Sequence, residues 1–171
     1  ADVKPVQGEF GMSKSLTLAA IALAAIATTA PALAVDENNV AAGLTAAGAP
    51  LGLHGVDPVA FIELGNRLEG AAPYTAVHDG VAYYFSSEAN LNTFTANPEK
   101  YLPQNGGFCT YGVSVGKKFD GDPEYHAVIN KQLYVFLNKE IFEAFNKDRE
   151  GTISNAANTW QRIRSTAVKD L

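Results

Sequence analysis

Tyr74-Thr75-Ala76-Val77-His78-Asp79-Gly80-Val81-Ala82-Tyr83-Tyr84-Phe85 is the stretch that decides the fold. Two β-favouring runs flank Asp79-Gly80, a pair suited to a two-residue turn with positive φ at both positions, so the spacing predicts an antiparallel hairpin. Just beyond it, Ser87 is placed to cap a helix carrying Leu91 and Phe94 and ending near Asn97. Pro98 then opens a short turn through Tyr101. A second hairpin is expected from His126–Ile129 and Leu133–Leu137 around Asn130-Lys131. Asn138 starts an amphipathic helix with Ile141, Phe142 and Phe145 on one face, and Gly151 separates it from a last helix through Ile153, Ala157, Trp160 and Ile163. Upstream, Asp57-Pro58 is a helix start, followed by Val59–Leu64 and a stop at Gly65. Two β-hairpins and several short helices predict one small α+β domain, with Phe85, Phe94, Phe136, Phe142 and Trp160 buried. The residue order shows no internal repeat.

The N-terminal part has a different character. Met12-Ser13-Lys14 precedes an apolar run from Leu16 to Ala27, then Pro31 and Ala32-Leu33-Ala34. A basic start, a short apolar core and a small-residue site predict a secretory signal peptide over 12–34, cleaved after Ala34. Residues 1–11 read as an added leader. If the apolar run is retained, its alanine and leucine favour a helix over Ser15–Thr28 lying against an apolar groove of its own domain or of a neighbouring copy, near Cys109 or His54. Residues 35–50 are rich in alanine and glycine and read as a linker or weak helix, leaving 51–171 for the domain. Localisation is therefore expected to be periplasmic or secreted, with no integral membrane segment in the mature protein.

Lys and Arg number 13 against 18 Asp and Glu, a net charge of −5. A mildly acidic domain without a basic block argues against nucleic acid as a partner. Cys109 is the only cysteine, so in an oxidising compartment it has no internal partner. It follows Gly106-Gly107-Phe108 and precedes the Lys117-Lys118 pair and Asp120 and Asp122. Glycine, thiol, cation and carboxylate in so short a run suggest a built loop. The bland reading makes Gly106 and Gly107 a turn and Cys109 a small buried hydrophobe. Asp120-Gly121-Asp122-Pro123 lacks the later glutamate of a calcium loop and reads as a turn.

Asp57-Pro58-Val59, the segment His78 to Ser87, and Phe94-Thr95-Ala96-Asn97-Pro98-Glu99-Lys100-Tyr101-Leu102 resemble the YHS-domain family. Gly106 to Cys109 and Gly116 through Pro123 are similar to a secreted subfamily of that module, related to treble-clef metal-binding domains. The resemblance implies a small α+β fold and a metal-related role. YHS modules of metal-transport ATPases place thiolates where this chain has Ala60, Ser86 and Asn90. Neither serine nor asparagine replaces a thiolate at a copper or zinc site. A surviving site would have to be built from Cys109 and the three histidines, His54, His78 and His126; Cys109, His54 and His126 are the favoured set, with Cu or Zn as the expected ion. His78 reads as a solvent-facing strand end.

These readings predict a non-enzymatic protein handling Cu or Zn around Cys109. The alternatives are a metal-free interaction module and a thiol-redox protein in which Lys117 or Lys118 activates Cys109, with Tyr111 as a further candidate neighbour. No local catalytic motif is present in the sequence. The expected partners are a metal ion or an envelope protein, and a homo-oligomer is left open.

Overall fold

The computed structural model describes residues 35–171. Asp79 and Gly80 sit at φ 46° and 77°, the left-handed values a type I′ turn needs. They join β1 (Ala71–His78) to β2 (Val81–Phe85), pairing His78 with Val81 and Thr75 with Tyr84. Ser87 accepts a hydrogen bond from the Asn90 amide and starts α1 (Glu88–Ala96), which a 3₁₀ turn over Pro98–Lys100 follows. Short helix α2 (Thr110–Ser114) leads to a second antiparallel pair, β3 (Asp122–Ile129) and β4 (Gln132–Phe136). Asn138 caps α3 (Lys139–Lys147) and Asp148 caps α4 (Arg149–Ile163). Two separate two-stranded sheets among short helices make this an α+β fold, as the hairpin signals predict.

The two hairpin–helix units are the same structure, 51 positions apart. Both hairpins carry a register shift at the matching place, before Thr75 and before His126. Ser87 and Asn138 make the same cap, and the helices end at Asn97 and Asp148 with φ near −150° and ψ 75° in each. Tyr74, Ala76, Val77, Tyr83, Phe85 and Phe94 return as Tyr125, Ala127, Val128, Tyr134, Phe136 and Phe145. Ahead of each hairpin lies a glycine, Gly70 or Gly121, on which a Cβ would stand about 2.4 Å from a backbone or side-chain atom. Further upstream the equivalence continues with a one-residue shift: Asp57 N–H donates to Leu68 O, and Cys109 N–H to Phe119 O, both at 2.9 Å. The expectation of no internal repeat is therefore overturned. The identities are scattered, and the residues between them were free to change because only spacing and burial are held.

Phe61, Phe85, Phe94, Leu133 and Val135 form the largest core, so the second hairpin packs into the first copy. Phe136 and Phe145 centre a second cluster with Cys109 and Tyr134. Phe85, Phe94 and Phe136 are buried as expected, whereas Phe142 and Trp160 are only half-buried. Gly151 does not separate the last two helices. It is the third residue of α4, where Asp148 Oδ1 accepts from its amide at 3.0 Å and a side chain would collide with that carboxylate. Residues 35–50 are not a free linker either. Glu37 N–H donates to Arg164 O, Asn39 N–H to Gly106 O and Ala41 N–H to Leu51 O, so the segment straps both copies. The leader, the signal peptide and its helix lie outside the described residues. Among the described residues no helix is long and apolar enough to cross a membrane.

Candidate functional site

The repeat sets two pockets side by side for comparison. In the first copy, Pro58 and Gly65 bound a single wide helical segment that includes a π-type turn, Ala60–Leu64, and Asp57 stands at its head with no exposed surface. Its Oδ1 accepts from the amides of Val59 and Ala60 at 2.9 and 3.1 Å. Its Oδ2 accepts from the Ser86 amide at 2.8 Å, the Ser86 hydroxyl at 2.7 Å and the Asn90 side chain at 2.7 Å. The three positions marked by the resemblance, Ala60, Ser86 and Asn90, thus converge, but on a carboxylate. Five donors fill the roughly four lone-pair sites such a group offers. Nothing remains to bind an ion, and a thiolate-held metal does not fit these residues.

In the second copy Cys109 occupies the place of Asp57. Its sulfur accepts from the Gly112 amide at 3.5 Å and caps α2, as Asp57 does for its own turn. The residues facing it are Leu137 and Ile141, where the first copy has Ser86 and Asn90. Cys109 is 1 % exposed and packs with Tyr134, Phe136 and Phe145, and Tyr111 lines the same cluster. Burial pushes the thiol pKa up, amide hydrogen bonds from Gly112, Leu137 and Tyr111 only partly offset this, and the Asp120 charge adds to the rise. That is the opposite of what a reactive thiolate needs.

Neither lysine activates it. Lys117 reaches the carbonyl of Leu171. The Lys118 ammonium is fully buried, 3.0 Å from Glu37 and bonded to the carbonyls of Arg164 and Thr166 at 2.9 and 2.7 Å. It also lies 5.3 Å from the ring centres of Phe108 and Trp160. It ties the strap to the end of α4.

The three histidines go separate ways. His54 Nε2 is 2.9 Å from Asp120 Oδ1, which also accepts from Asn39 at 2.7 Å. Burial works against the charged carboxylate, but the bonds from Asn39 and His54 outweigh it and hold Asp120 below its usual range. His126 packs against Phe61 at 4.3 Å between ring centres, with Nδ1 2.9 Å from Pro123 O. Cys109, His54 and His126 are not gathered into one ligand cluster. The trio that does gather among the described residues is His78, Asp79 and Glu99, with ligand atoms all within 4.8 Å of one another. His78 Nε2 is 3.0 Å from Glu99 Oε1 and 3.6 Å from Asp79 Oδ2. The sequence reading missed this because Glu99 comes 20 positions after Asp79 and meets it only through the turn that follows α1. These residues edge a cleft of about 790 Å³ that runs past Tyr83 and Asn105 to Trp160 and Arg164.

Residues 65–105 match the family model of the YHS domain. Over this stretch the chain is similar to a YHS domain. The match covers the first hairpin, α1 and the turn after it, and stops ahead of the second copy. The YHS domain points to a metal-related role. No curated protein and no solved structure matches the chain.

Proposed function

We propose that this YHS-like protein is a non-enzymatic, metal-related binding protein of the cell envelope, in which the inherited thiolate pocket has become structural and binding has passed to the cleft beside the first hairpin. The observation that carries the reading is the saturated, fully buried Asp57 carboxylate with its five donors. A pocket in that state holds its copy together and has no lone pair to offer. The burial of Cys109 among aromatic rings supports the same reading for the second copy. The reading of Cys109 as structural is supported by its surroundings: among the described residues the histidines bond to Asp120, Glu99 and Pro123, and the thiol bonds to the Gly112 amide. The envelope location rests on the signal-like segment 12–34.

The test is a Cu(I) titration in competition with a chelator, run on the wild type and on Cys109→Ser. The two proteins are expected to give superimposable curves without a thiolate site. A stoichiometric Cu(I) site present in the wild type and lost in Cys109→Ser would overturn the reading.

A further inference from the structure

We infer that His78, Asp79 and Glu99 form a binding site for a divalent first-row transition-metal ion at one end of the cleft, with the Tyr83 hydroxyl facing the ion's open side. The inference rests on the reading that binding has passed to this cleft, and it names the ligand. An imidazole nitrogen and two carboxylate oxygens suit zinc, nickel or cupric ions; calcium and magnesium prefer oxygen alone, and cuprous ion prefers thiolates. Two carboxylates also balance a double positive charge. The spacing fits as it stands. Bonds of ~2.0–2.1 Å in a tetrahedral site set ligands ~3.3–3.4 Å apart, and the separations from His78 Nε2 here are 3.0 and 3.6 Å.

Tyr83 is an independent sign. It is 4 % exposed and lines the same cleft, yet its hydroxyl has no hydrogen-bond partner among the described residues. Among the described residues no fully buried side-chain oxygen or nitrogen lacks a partner, so this hydroxyl is the part of Tyr83 that reaches the open cleft, where it is free to bond what enters. The second copy supplies the control. There Tyr134, the counterpart of Tyr83, donates to Gln132 Oε1 at 2.9 Å. The counterparts of His78 and Asp79 are Ile129 and Asn130. The unpaired tyrosine and the ligand trio occur together in one copy and are both missing from the other. Three protein ligands leave a coordination position for water or a small anion, and Tyr83 is placed to hydrogen-bond what sits there.

Zinc and nickel titrations of the full chain, followed by calorimetry, test the site on the wild type, His78→Ala, Glu99→Gln and Tyr83→Phe. Circular dichroism of each variant establishes that it folds; Glu99 is exposed, so its variant serves if His78→Ala does not. One ion per chain is expected in the wild type, with affinity falling ~10-fold or more in His78→Ala or Glu99→Gln, and by a smaller factor in Tyr83→Phe. Addition of nickel should also broaden the His78 ring signals in an NMR spectrum and leave those of His126 sharp. No saturable binding by the wild type, or wild-type affinity in folded Glu99→Gln, would overturn the site. Either result leaves the Cu(I) comparison of wild type and Cys109→Ser unaffected, so the two readings fail separately.

Discussion

The first copy seals its pocket with charge, and the second seals the same pocket with grease. At the head of one turn stands Asp57 with Ser86 and Asn90 around it; at the head of the other stands Cys109 with Leu137 and Ile141. One turn is π-type and the other α-helical, yet each head residue makes the matching 2.9 Å backbone bond, Asp57 to Leu68 and Cys109 to Phe119. What the scaffold requires at this place is an acceptor that caps the turn and a set of neighbours matched to it. A carboxylate needs donors; a thiol needs apolar side chains. Mixing the two sets would leave either a buried charge without partners or donors without an acceptor, and both are expensive.

The comparison breaks first at Asp57. Asp57→Ala strands the Ser86 hydroxyl, the Asn90 amide and three backbone amides, and is expected to destabilise the protein by ~3–5 kcal/mol, a large part of an ordinary domain's stability. Cys109→Ala at the equivalent place removes one small apolar group and should cost only ~1–2 kcal/mol. Urea unfolding of the two variants measures the gap, and equal losses would mean that the pockets are not equivalent in kind.

A smaller contrast lies in the turns. Gly80 and Lys131 both hold left-handed backbone, at φ 77° and 63°, but only glycine does so without strain. Lys131→Gly should therefore stabilise by ~0.5–1 kcal/mol, read as a rise in Tm. A fall in Tm would show that Lys131 contributes through its side chain.

The smallest effect concerns the bond between the copies, His54 to Asp120. Because the folded pKa of Asp120 is depressed, its contribution is present above the unfolded value of ~3.9 and is lost as pH falls through the folded value below it. Half of this carboxylate is exposed, so solvent screening keeps the effect under ~1 kcal/mol. Comparing wild type with Asp120→Asn between pH 6 and pH 3 should show their stabilities converging on the acid side; a difference that widens there would contradict the assignment.

Much of this fold is readable from residue order alone, because its signals are local. Asp79-Gly80, Ser87 and Asn138 act within four residues of themselves, and each makes the turn or cap it predicts. The repeat is not readable that way. Six matched residues over one hairpin and helix do not stand out until the backbone shows that their spacing is kept. The candidate site divides along the same line. The loss of thiolates at Ala60, Ser86 and Asn90 is visible in the sequence, but their shared acceptor Asp57 is a contact across 29 and 33 positions. Cys109 draws the eye as a lone thiol beside two lysines, yet burial and the direction each side chain takes decide its chemistry, and neither is local.

Cys109 has one more consequence, which follows from its being both solitary and enclosed. A water-soluble thiol reagent cannot touch the sulfur while α2, β4 and α3 stay in place around it. Modification then waits on excursions that pull the second copy apart, and its rate counts how often they occur. Nature has left a stopwatch inside one half of the molecule and none in the other.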